Sequence, residues 1–125
     1  MTRKQTKATE FADDWLKHAR SKPGSKEWEE TSWVIGASVE WSRQRTDVLC
    51  NAIAKIAEQK LSNHEIEMLG CGPLETLLSW DYDTSSASFW KIAKVSPHLM
   101  SALSFVIPPS EKEDDFLLNM GRLRH

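Results

Sequence analysis

The chain has 125 residues, a formal net charge of -2 and a pI near 6.1, with 40% hydrophobic and 27% charged residues. This length fits one domain, and the apolar content, which includes 6 Trp, excludes a disordered chain. The charge argues against the strongly basic face that attachment to nucleic acid or anionic lipid requires. No apolar run approaches the roughly 20 residues needed to span a bilayer, and acidic Glu10, Asp13 and Asp14 follow the basic start where a signal peptide would be apolar. A cytoplasmic protein is therefore expected, attached neither to membrane nor to nucleic acid.

Residues 1–8 are polar and basic without periodicity and read as a flexible tail, which leaves 9–125 as the helical domain. From Thr9, Phe11, Ala12, Trp15, Leu16 and Ala19 recur on one helical face. Pro23-Gly24 ends that helix, because the pair is a strong helix breaker. A second helix is predicted to reach Trp41, with Trp28, Ile35 and Val39 on one stripe and Trp33, Ala37 and Trp41 on another, both buried between neighbours. Thr46 or Asp47 caps a third, in which Val48, Leu49, Ala52, Ile53, Ile56 and Ala57 give the clearest amphipathic pattern of the chain.

Ser62 and Glu65 form a capping box for a fourth helix that ends at Gly70. Gly72 and Pro73 break the pattern and restart it, so that Leu74, Leu77 and Leu78 pack inward as far as Trp80. Residues 81–86 read as a polar loop ahead of a helix from about Ser88, with Phe89, Ile92 and Ala93 inward. Ser96-Pro97 sets the next boundary and Pro97 opens a helix carrying Leu99, Met100, Leu103 and Val106. After Pro108-Pro109, Ser110 and Glu113 repeat the capping box before Phe116, Leu117, Met120 and Leu123. No segment alternates with period two, so the expected fold is all-α, a single domain of about seven short helices stacked as antiparallel hairpins.

No catalytic or metal site emerges, and no cofactor is expected. Residues 81–85 open like a calcium loop, but Ser86 stands where its glycine belongs and Ile92 where its bidentate glutamate belongs. The paired aspartates Asp81 and Asp83 also resemble a phosphatase motif, which belongs after a buried strand rather than a leucine-rich helix. Gly70 and Gly72 lack the third glycine and the preceding strand of a dinucleotide turn. His18, His64 and His98 have no carboxylate or cysteine at catalytic or ligand spacing, and Cys50 and Cys71 read as buried free thiols.

Charge is distributed unevenly. Residues 1–62 hold 11 Lys or Arg against 9 Asp or Glu, a net of +2, whereas residues 63–125 hold 5 against 9, a net of -4. Between Leu61 and Trp90 there is no cation, while Glu65, Glu67, Glu75, Asp81 and Asp83 all lie there beside Trp80 and Tyr82. Carboxylates that converge beside an indole would steer a basic partner, so these seven residues are the candidate partner-binding set.

The run from Leu69 to Leu78, with Gly72, Pro73, Leu74, Glu75, Leu77 and Leu78, is similar to the Gly-Pro-Leu-Glu-x-Leu-Leu motif of a bacterial family of small helical proteins. The order of elements over roughly residues 10–107 is also alike. That resemblance implies a helical fold, and it brings no established activity and no catalytic residues with it. By type, the chain also resembles bacterial immunity proteins, which implies a non-enzymatic protein that neutralises a toxin by binding it. A basic toxin domain, a nuclease among the candidates, would meet the acidic residues, because a nuclease carries cations for its phosphate substrate. The alternative is a helical scaffold or regulatory adaptor for a housekeeping partner.

Overall fold

The computed structural model describes residues 3–123, with side chains over 6–123. The chain forms α1 (Arg3–Arg20), α2 (Lys26–Glu30), α3 (Trp33–Gln44), α4 (Thr46–Ala57), α5 (Asn63–Leu69), α6 (Glu75–Trp80), α7 (Tyr82–Ala93), α8 (Pro97–Leu103) and α9 (Glu113–Leu123). There is no strand among the described residues, so the fold is all-α. Its most extensive packing is between helices distant in sequence, α1 along α4, α3 on α6 and α5 on α8. The core runs through Phe11, Leu49, Ile53, Ile56, Leu69, Leu77, Leu78, Phe89, Leu99 and Leu103, all with no measurable exposure.

α4 buries the six residues that its periodicity selected. In its first turn the Asp47 carboxylate accepts from the Val48 N–H at 2.9 Å, one of the free amides it was expected to serve, while Arg45, the residue before the helix, makes no side-chain cap. The Ser62 box forms in full: the Ser62 hydroxyl accepts from the Glu65 N–H at 3.1 Å, and the Glu65 carboxylate accepts from the Ser62 N–H at 2.9 Å. Ser96 caps α8 through the Leu99 N–H at 3.2 Å. Each of these local signals survives because its partners lie within one turn.

Several expectations are corrected. α1 begins at Arg3 instead of near Thr9, and Ala8, assigned to the tail, is fully buried; Met1 and Thr2 lie outside the described residues. The second helix is broken at Thr31 and Ser32, whose hydroxyls donate to the Glu27 and Glu29 carbonyls at 2.8 and 2.7 Å and so compete with the helical ladder. The break turns Ile35 and Val39 to solvent, 56% and 45% exposed, while Trp28 stacks on His18 at 4.9 Å. Trp33 is 39% exposed, with its indole N–H donating to Asp14 at 2.7 Å. Trp15 and Trp41 are core, as expected.

Gly70 caps the C-terminal end of α5, as expected, but the chain does not leave the helical path there. The backbone continues through a wide turn at Gly70–Leu74, kinks at Gly72 (φ -98°, ψ -110°) and runs on into α6. Residues 81–86 are not a loop, because a one-residue break at Asp81 (φ -143°, ψ 59°) is followed at once by α7. Ser110 meets Glu111 rather than Glu113 in a short 3₁₀ turn, so the second capping box is not made, and Leu117 points outward. Cys71 is exposed and Cys50 half-buried; both are free thiols.

Candidate functional site

The seven candidate residues fall into unlike environments. Glu65 is buried by the capping box and binds Arg20, whose Nε lies 2.8 Å from Oε2 and whose Nη2 lies 3.3 Å from Oε1. The Arg20 guanidinium holds the Glu65 carboxyl below the usual carboxylate range. Glu65 is thus neutralised from inside by a cation of α1, and it leaves the candidate surface. Glu75 is tied down as well, its carboxylate accepting from the Ile107 N–H at 2.6 Å and fastening the segment that leads to α9. Tyr82 is buried, and its hydroxyl donates to Asp115 at 2.8 Å. Burial, then the Asp115 carboxylate, raise the Tyr82 phenol well above its ordinary value.

Four residues remain accessible. Glu67 is exposed on α5. Trp80, at the end of α6, is 55% exposed with the Arg43 guanidinium over its ring at 3.8 Å. Asp81 is half-buried and accepts from the Ser85 hydroxyl at 3.3 Å. Asp83 is exposed and pairs with Lys112 at 2.9 Å, which raises the lysine's pKa. The acids do not converge as one uncompensated patch, because Arg20 and Lys112 each answer one of them. What the fold does assemble is narrower: Trp80 under Arg43, with Asp81 next to it in the chain and Asp83 in the first turn of α7.

Arg43, Lys112 and Asp115 were not legible in the sequence, since they lie 29 to 37 positions from the residues they meet. Ile35 and Val39 had a signal that was misread. Their four-residue spacing marks one face of α3, and Arg43 continues that face one turn further on, so the same stripe that suggested core leads along the surface to Trp80.

A second depression lies between α4 and α7, a cleft of about 410 Å³ lined by Thr46, Asn51, Thr84, Ser88 and Lys91 with Cys50 beside them. Burial pushes the Cys50 thiol up, which keeps it protonated and a poor nucleophile. Among the described residues no group of three or more His, Cys, Asp or Glu is placed to hold a metal ion. No helix of the described residues is long and apolar enough to cross a membrane. Compared with protein-family models, curated proteins and solved structures, the chain matches none. The functional reading accordingly rests on the geometry around Trp80.

Proposed function

We propose that this chain is a non-catalytic binding protein whose contact is centred on residues 80–83, and that its partner is a cognate bacterial toxin that it neutralises in the cytoplasm as an immunity protein. The observation that supports the reading is the exposed Trp80 capped by Arg43. Tryptophan and arginine are the side chains most enriched at the energetic centres of protein interfaces, and an indole left more than half open at a helix end has apolar area still to bury. Ile35 and Val39 extend the apolar surface toward Arg43, while Asp81 and Asp83 supply negative charge for a basic partner. The Lys112 pair does not remove Asp83 from use, because exposed pairs are weak and exchange readily.

The test is co-purification with the product of the adjoining gene, together with protection of cells that make that product. A complex and protection support the proposal. Absence of both overturns it, and capture of a housekeeping protein by the same surface would favour an adaptor. Trp80→Ala is expected to weaken the complex by about 2 kcal/mol, roughly thirtyfold in Kd, with helicity unchanged.

A further inference from the structure

α9 is the most lightly held of the longer helices. Only Phe116 and Met120 of its 11 residues are buried, against six of 12 in α4. It lies along α7 in the same direction: Lys112, just before it, meets Asp83 at 2.9 Å, Asp115 accepts from Tyr82, and the Phe116 ring sits 5.5 Å from that of Trp90. Past Phe116 the two helices part around a cleft of about 510 Å³ between Ala93 and Lys94 on one side and Asn119 and Leu123 on the other. The Lys112–Asp83 tie is shallow, its side chains being 35% and 79% exposed, whereas the Tyr82–Asp115 bond is partly buried. The segment leading in is held by the Ile107 N–H on Glu75 and then passes through Pro108 and Pro109, which have no N–H to add a further tie.

We propose that the face of α7 bearing Asp83, Tyr82 and Trp90 is a helix-docking surface, kept closed by α9 and taken by a partner helix that carries a cation and an aromatic ring four residues apart. The chemistry of the occupant is read from the one in place. Lys112 and Phe116 are one turn apart and share a face; the ammonium meets the Asp83 carboxylate and lies 6.0 Å from the centre of the Tyr82 ring, while the phenyl ring fills the space against Trp90. An arginine in the place of Lys112 would grip the carboxylate with two N–H groups and stack on the phenol, so a basic partner helix has a route to displace the resident one. The inference rests on residues 80–83 being the partner contact and adds that half of this contact, Tyr82 and Asp83, is engaged by α9 until the partner arrives. Closure lowers the apparent affinity by the fraction of molecules that are closed.

The experiment begins with amide hydrogen exchange on the full chain alone. The amides of α9 are expected to exchange about a hundredfold faster than those of α4, through an opening that leaves α4 protected; equal protection of the two helices would overturn the proposal. The probe for docking is a synthetic peptide of residues 109–123 added to the full-length Lys112→Glu variant, whose surface change leaves the core intact, and followed by tryptophan fluorescence. It should bind about tenfold more tightly than to the wild-type chain, whose own α9 competes. No binding to a variant that retains its helicity would also overturn the proposal. Neither measurement uses a toxin, so failure of the toxin assay with a helix that opens would remove the functional reading and leave the docking surface standing.

Discussion

Glu65 shows how one carboxylate can serve two structures at once. It closes the first turn of α5 on Ser62 and receives Arg20 from α1, so local capping and long-range pairing share a side chain. Because the folded state holds this carboxyl below its ordinary value near 4.5, the folded protein takes up the proton less readily than the unfolded chain. The resulting stability is complete above about pH 4.5 and is lost as pH falls below it. Arg20→Met should cost about 1 kcal/mol at neutral pH, a modest amount because the arginine is 49% exposed. Urea titrations across the acid range should show a shallower acid loss in that variant. Tyr82 behaves in the opposite sense. Its phenol is raised from 10 in the folded state, so its contribution is complete below about pH 10 and is lost as pH rises above it. It is the only tyrosine, so alkaline absorbance titration reads it alone. The native midpoint should lie above 10 and return toward 10 in denaturant.

At the scale of elements, two glycines in helical backbone predict opposite outcomes. A methyl group at Gly70 would meet the backbone carbonyl of Ala102 and the Cβ of Phe105, so the packing of the Gly70–Leu74 turn against the end of α8 depends on the missing side chain. Gly70→Ala should cost about 3 kcal/mol by forcing that pair apart. Gly36 faces open space on the outer side of α3, with nothing within 4 Å of an added Cβ. Gly36→Ala should stabilise by up to about 1 kcal/mol through helix propensity. Thermal unfolding of both variants checks the pair, and equal effects would contradict the packing described here. The amphipathic helices were readable as elements because a 3.6-residue period is a local property of the chain. The loop expected at residues 81–86 became helix because Ser85 and Ser86, polar by composition, are buried against the core and Tyr82 is anchored by Asp115. Those contacts outweigh a weak local preference.

For the whole molecule, the charge asymmetry between the halves is real in sequence and partly cancelled in space. Arg20 of the basic half answers Glu65 of the acidic half, and within the acidic half Lys112 answers Asp83 across 29 positions. Raising salt should therefore loosen α9 selectively, since its tie to α7 is solvent-exposed and screened, whereas the apolar contacts of α1 with α4 are not. Hydrogen exchange at low and high salt would show faster exchange in α9 with α4 unchanged. Of the candidate site, Trp80, Asp81 and Asp83 were legible as an acidic, aromatic segment. Glu65 and Glu75 belonged to the scaffold, and no reading of charge along the chain distinguishes an acid that faces solvent from one that caps a turn or ties a linker.

What sequence alone determined is the all-α class, the inward face of α4, the capping box at Ser62 and the helix start at Pro97, since each depends on patterns local to one stretch of chain. Only the tertiary structure decided which acids are neutralised, that Arg43 covers Trp80, that Ile35 and Val39 face outward and that α9 lies over Tyr82. These depend on pairs of side chains brought together from tens of positions apart, and helical periodicity says which face of a helix is apolar without saying which neighbour, if any, covers it.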